Sequence, residues 1–419
     1  MFKWLRTPRM GDNKNFGRED DMRTDFSPSK LVAVLAVAIT CLLGGMVWAG
    51  DTYTVVELGA LRRGGSSVGR HMDSVGGRVV GSSGWTHGSG TRAFVWSAHT
   101  GMHDLRTFQG GDYSEAFGVN DAGTVVGNSN TRETMWAFVW NAREGMRELN
   151  PLPGDSASRA FAINNSGQTV GYSSGKGGVR AVVWSAKLEA RSLGTLPGGN
   201  YSEAFAINDA GQVVGMSNSS SGTRPFLWTS RDGMIDLGIL QGSESCKAVG
   251  INSAGQVVGS CTLGSASRPF LWSKEGGMQS LGSLGGTAYA EALAINDSGQ
   301  VVGASETSLG ARAFLWTKAG GMQDLNSLIP PTHDVLLVQA LHINNRGQIL
   351  VVGSFHHDST HDREADLEDE AHAGPVHVFL MTPGKLLSSA PNATADPKVS
   401  RFATDRAISF LEEKSLDQR

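Results

Sequence analysis

Residues 202–237 read SEAFAINDAGQVVGMSNSSSGTRPFLWTSRDGMIDL, and closely similar text recurs at 44-residue intervals. Ala204–Ile207 is apolar and leads into Asn208-Asp209-Ala210-Gly211. That tetrad fits a type I turn whose glycine takes the left-handed position, closing a hairpin. Gln212–Met216 is the return strand, Arg224–Thr229 the third, carrying Phe226 and Trp228, and Met234–Leu237 the fourth. Outward from this copy, Phe-Val/Leu-Trp recurs at Trp96, Trp140, Trp228, Trp272 and Trp316, with Val-Val-Trp at Trp184. The turn asparagines are Asn120, Asn164, Asn208, Asn252, Asn296 and Asn344, spaced by 44 residues and, at the last step, 48. A decayed copy at Met72-Asp73, followed by Arg78-Val79-Val80-Gly81, makes seven units. No part of 53–383 carries a sustained 3.6-residue period, so the region is all-β. A unit of about 44 residues with four short strands has the size of a propeller blade.

The ends of the repeat region complement each other. Tyr53–Leu58 resembles the fourth strand of a unit, with Glu57-Leu58-Gly59 matching Asp236-Leu237-Gly238. Unit seven supplies only three strands: Leu341–Ile343, Gln348–Val352 and His377–Thr382. The expected architecture is a seven-bladed β-propeller over 50–383, closed by the N-terminal strand completing the last blade. Closure removes the unpaired edges that invite aggregation. In the expected hairpin register Ile207 faces Val213 and Phe205 faces Gly215. A ring over a glycine would fill the space its missing side chain leaves. Phe117, Phe161 and Leu293 recur opposite Gly127, Gly171 and Gly303, which makes that glycine a packing partner rather than a ligand site.

The Phe-Leu-Trp and Asn-Asp-x-Gly-Gln-Val-Val-Gly units resemble the HAF family of extracellular repeats. The resemblance covers about 53–383, roughly four-fifths of the chain. It implies an exported repeat protein with no known reaction. Unit one departs from the pattern, as does unit seven, where Met381 replaces the tryptophan.

Residues 31–49, LVAVLAVAITCLLGGMVWA, contain no charge. Arg23 and Lys30 precede this apolar run, and Val47-Trp48-Ala49 places small residues near the cleavage positions of a secretory signal. The 30-residue lead is too long for an ordinary signal, whereas Met22 to Ala49 has a normal length, which suggests a true start at Met22. The rival reading is an uncleaved membrane anchor, since 19 apolar residues nearly span a bilayer. Both readings export the rest of the chain, to the periplasm or the extracellular space, and contact with a membrane would come only through an uncleaved 31–49.

Composition narrows the classes further. Glycine makes up 55 of 419 residues, close to twice the usual ~7%. The net charge of −4 argues against nucleic acid as a partner. Three cysteines exclude a disulfide-stapled miniprotein. Of these, Cys246 and Cys261 flank one hairpin. A two-residue turn would set them opposite each other as a disulfide, whereas the bulged turn of Asn252–Gly255 shifts them out of register and aims them at opposite faces.

Candidate chemistry gathers in four places. The six tryptophans are expected to pack between blades rather than to line a sugar site. Tyr113-x-Glu115, Tyr201-x-Glu203 and Tyr289-x-Glu291 recur in alternate blades, with Arg159 and Lys247 in the blades between. Near one channel mouth these alternating charges would form a belt of inter-blade ion pairs, or else grip a polar ligand. The insert 356–374 brings His356, His357, His361 and His372 among seven carboxylates. Such a tract can take a divalent metal, but its spacing matches no defined site, and it reads as a solvated acidic loop. No other cofactor is indicated. Gly171-Tyr172-Ser173-Ser174-Gly175 matches the hydrolase elbow pattern, yet Ser129 and Ser217 occupy the same repeat position, so Ser173 is a repeat residue and not a nucleophile. Residues 384–419 form a tail with one possible short helix at 407–411.

The leading expectation is a non-catalytic exported binding or scaffold module for a protein or glycan. The alternative is a propeller enzyme acting on a carbohydrate or ester, whose only non-repeated polar candidates are Arg70, His71, His333 and Asp334 near the seam between units seven and one.

Overall fold

The Asn-x-x-Gly tetrad closes each inner hairpin as its residues dictate. In the copy quoted above, the Asn208 N–H donates to the Gln212 carbonyl at 3.1 Å and the Gly211 N–H to the Asn208 carbonyl at 3.0 Å. Gly211 sits at φ +73°, as do its counterparts within a few degrees, a region open to glycine at little cost. The computed structural model describes residues 53–384 apart from 63–64, 85–89, 287–288, 332 and 356–376. The export segment, the acidic insert with its four histidines, and the tail from 385 lie outside the described residues.

Seven four-stranded antiparallel sheets make up the fold, a seven-bladed β-propeller. The inner strands are Ser67–Met72, Ser114–Val119, Asp155–Ile163, Ser202–Ile207, Ser245–Ile251, Ala290–Ile295 and Val335–Ile343, for blades 1 to 7. The inner strand of blade 1 packs against that of blade 7, so the series forms a ring. Blade 7 continues with Ile349–Phe355 and His377–Pro383, and its outermost strand is Tyr53–Glu57, paired antiparallel from Tyr53↔Pro383 to Glu57↔Phe379. Among the described residues the only helix is one 3-10 turn, Leu325–Leu328.

The register of the inner hairpin differs from expectation by one residue. Ile207 faces Val213 and Ala206 faces Val214, but then Ala204 faces Gly215 and Phe205 is left unpaired as a bulge. The same slip falls at Phe117, Phe161, Val249, Leu293 and Leu341, and at Arg70 in blade 1. A bulge re-aims the side chain it leaves over, so these residues line the central channel rather than cover the glycines. Gly215 is required by backbone, since a Cβ there would run into the Glu203 carbonyl oxygen. The ring over the glycine comes from the third strand instead, where Phe226 pairs with Gly215 and is fully buried.

Packing between blades follows the tryptophan expectation. One cluster joins Val170, Ala181, Val183 and Leu193 of blade 3 to Ala204, Val213, Phe226 and Trp228 of blade 4. Equivalent clusters take up Trp96, Trp140, Trp184, Trp272 and Trp316 at their own joints. Each buried phenylalanine at these joints contributes about 1.5–3 kcal/mol.

Polar fittings accompany the apolar ones. The Ser202 hydroxyl accepts the Ala181 N–H of the preceding blade at 2.9 Å and donates to the Gly194 carbonyl at 2.7 Å. Ser114 and Ser158 do the same for Ala93 with Arg106 and for Ala137 with Leu149. At the next two joints the inner strand carries Cys246 and Ala290, and the third-strand partners are Pro225 and Pro269, which have no N–H to satisfy. Where the hydroxyl is missing, so is the donor that needed it.

Blade 5 departs once more. Cys246 and Cys261 stand where blade 4 has Ser202 and Ser217, and they are joined by a disulfide. The turn does shift the register, as expected, but the bulge at Val249 shifts it back, so Cys246 pairs directly with Cys261.

Substituting Ser202 by Ala is expected to cost about 1–3 kcal/mol, because a buried N–H and carbonyl lose their partner. Adding Ala181→Pro should recover much of that loss, since proline removes the orphaned donor. Urea unfolding of the two single variants and the double variant measures the coupling. Strict additivity would contradict this account.

Candidate functional site

The inner strands run from one channel mouth, at the tyrosine–glutamate end, to the other, at the asparagine turns. The two mouths differ in chemistry, and the bulged residues separate them.

At the asparagine mouth the turn amides of blades 2 to 6 do two jobs. Each oxygen accepts the N–H four residues on, as in Gln212 to Asn208 at 3.0 Å, while the Nδ2 donates to the next blade's asparagine carbonyl. This relay runs Asn120 to Asn164, Asn208, Asn252, Asn296 and Asn344, at 3.0–3.2 Å throughout. Blade 1 has Asp73, which has no proton to donate. There Arg78 pairs with Asp73 at 3.2 Å and reaches across to the Asp121 carbonyl at 3.4 Å. Outside this relay lies a second ring. Asp121 accepts from Ser74 and Asn165, Asp209 accepts from Asn165, and Asp297 from Ser253 and Asn345. These carboxylates line a cavity of about 170 Å³ at the mouth.

At the opposite mouth the expected belt of ion pairs is not formed. Tyr113 donates to Glu115 at 2.6 Å, Tyr201 to Glu203, and Tyr289 to Glu291. Each tyrosine immediately precedes its inner strand, so each of these bonds lies within one blade. Burial, and then the carboxylate beside it, push the Tyr113 phenol up to about 12. Tyr201 moves the same way for the same causes. The only inter-blade pair of this set is Arg70 with Glu115, at 2.7 Å. Arg159 is exposed and Lys247 half-buried, and among the described residues neither makes an ion pair. Arg159 lies close enough to Tyr113 and Tyr172 to favour their ionised forms, against the larger upward push of burial.

Between the mouths the channel wall is asymmetric. Phe117, Phe161 and Phe205 form a continuous aromatic side, with neighbouring centroids 5.5 and 5.6 Å apart. Tyr172 extends it at 5.9 Å from Phe161, and the Arg70 guanidinium lies 5.6 Å above Phe117. Leu293, Leu341 and Val249 line the other side of this cavity of about 200 Å³.

The position after the bulge carries Gly118, Ala162, Ala206, Gly250 and Ala294 in blades 2 to 6. Blades 1 and 7 carry His71 and His342, whose ring centroids lie 3.9 Å apart inside the channel with the rings tilted by 49°. Of the four seam candidates, Arg70 and His71 line the channel, whereas His333 and Asp334 line none of its cavities. The partner of His71 is thus His342, which sequence reasoning passed over. The signal was there, since histidine breaks a column of small residues, but it shows only once the bulge is placed. Ser173 is structural: it accepts the Leu152 N–H at 2.9 Å and donates to Asp155 at 2.6 Å. Among the described residues, no three His, Cys, Asp or Glu side chains are grouped to hold a metal.

No protein-family model and no curated protein matches the chain. Solved structures match by fold. An oligogalacturonate lyase from Vibrio parahaemolyticus aligns with a TM-score of 0.50 at 9% identity, over 80% of this chain and 98% of its own. A streptogramin B lyase gives 0.43 at 10% identity over 80% and 98%, and TolB from Acinetobacter baumannii 0.44 at 11% over 59% and 63%. At such identities the likeness is one of fold alone.

Burial lowers His71 from the usual 6.5 to about 4, against a smaller upward pull from Asp121, and takes His342 well below its usual value. Between pH 6.5 and about 4 the unfolded chain therefore binds protons that the folded chain refuses, and stability falls as pH falls. His71→Ala with His342→Ala, which installs the residue of blades 3, 4 and 6, should flatten that decline. Urea midpoints at pH 7 and pH 4.5 test it, and an equal decline in both proteins would acquit the histidines.

Proposed function

We propose that this chain is an exported, non-catalytic binding module of the HAF type that takes an acidic glycan at its tyrosine–glutamate mouth. The observation that carries the reading is the pair of cations without carboxylate partners, Arg159 and Lys247, on inner strands at the tyrosine–glutamate end of a channel whose wall is aromatic on one side. Opposite charges that satisfied each other would make poor ligand hooks, and these two are not so satisfied. Sugar rings offer apolar faces to Phe117, Phe161 and Tyr172, while a carboxylate on the sugar suits the guanidinium and the ammonium. Export is supported by the signal-like segment 31–49 and by the disulfide, which favours an oxidising compartment. Absence of catalysis is supported by the evenness of the repeat, and by serine and carboxylate groups occupied with structural bonds.

Binding of uronic-acid oligosaccharides to the purified chain tests the ligand class. Acidic oligosaccharides are expected to bind, less tightly as salt rises, with neutral ones of equal length at least about tenfold weaker. Arg159→Ala with Lys247→Ala should abolish the preference while leaving thermal stability within about 0.5 kcal/mol. Equal binding of neutral sugars, or a preference that survives the double substitution, would defeat the proposal. N-terminal sequencing of the chain from its native host tests export, and an intact 31–49 would make it membrane-anchored.

A further inference from the structure

The channel contains two imidazoles for which the architecture gives no reason. At the position after the bulge the wall is crowded. In blade 2 a Cβ on Gly118 would come within 3.1 Å of the neighbouring strand's Ala162 and of Val126. Five blades answer with glycine or alanine. Blades 1 and 7, which are adjacent, place His71 and His342 there instead. The Nδ1 atoms of both rings are buried and have no hydrogen-bond partner. A buried polar atom without a partner costs about 1–3 kcal/mol, and two side by side in a repeat that fits every other joint with care call for a ligand.

We propose that His71 and His342 together hold one late transition-metal cation within the channel, water completing its coordination. Imidazole nitrogen is the ligand that suits zinc, nickel and copper. Both rings line the cavity at the asparagine mouth as well as the one between the mouths. That mouth carries Asp121, Asp209 and Asp297, so a cation approaches through a field of its own liking. Ligation would also couple the first blade to the last, at the joint where Asp73 interrupts the asparagine relay.

Zinc(II) is the probe. The insert histidines are removed first, by replacing His356, His357, His361 and His372 with alanine, so that any remaining site lies elsewhere. Calorimetry on this variant at pH 7 should show one zinc per chain, and adding either His71→Ala or His342→Ala should abolish it. Folding of these variants is expected because alanine already occupies the position in blades 3, 4 and 6, and their zinc-free melting curves check it. A second readout avoids mutation of the pair: zinc should shift the imidazole nitrogen resonances of two histidines only, His71 and His342. No binding by the insert-free variant, binding that outlasts both substitutions, or shifts confined to the other histidines would each overturn the proposal.

Discussion

One side-chain amide ties each blade to the next from blade 2 through blade 7. The asparagine that opens the inner turn caps that turn with its oxygen and reaches the neighbouring blade with its nitrogen. The job needs an acceptor and a donor on one short arm, so aspartate would fail at one end and leucine at both. The bonds are individually modest, about 0.5–1.5 kcal/mol each. Their effect is geometric, since each ties equivalent atoms of adjacent units and so imposes the same step from blade to blade. A constant step is what a closed ring requires.

The exceptions obey the same chemistry. Where Asp73 lacks the proton, Arg78 supplies one to the next blade. At two joints where the hydroxyl is absent, Pro225 and Pro269 have removed the N–H that needed it, and in blade 5 the two serine positions are bridged covalently. These are compensations within one chain, visible because seven copies of the same environment can be compared. A mismatch without compensation, such as the two histidines, stands out against them.

Much of the fold was legible in the text of the repeat. The turn glycine, the four strands and the tryptophan joints follow from local rules, because each depends on residues within one unit or its neighbour. The inner register did not follow, because a bulge leaves no mark that alternation alone can show. That single residue decided much else: it sent Phe117, Phe161 and Phe205 into the channel, and it brought Cys246 opposite Cys261. At the tyrosine–glutamate end the wiring differs from the expected one. Counting charges around the ring pointed to pairs between blades, whereas the nearer partner was the tyrosine two residues earlier in the same blade.

The strand Tyr53–Glu57 has a place in time as well as in space. It pairs with residues about 320 positions later, as Glu57 does with His377. Synthesised first among the blade strands, it must wait unpaired until the final strand emerges, while blades 1 to 6 can assemble from local hairpins as they appear. The seventh blade is thus completed by the earliest and the latest of the blade strands. Without the first of them, His377–Pro383 would present a bare sheet edge, open to pairing with another chain.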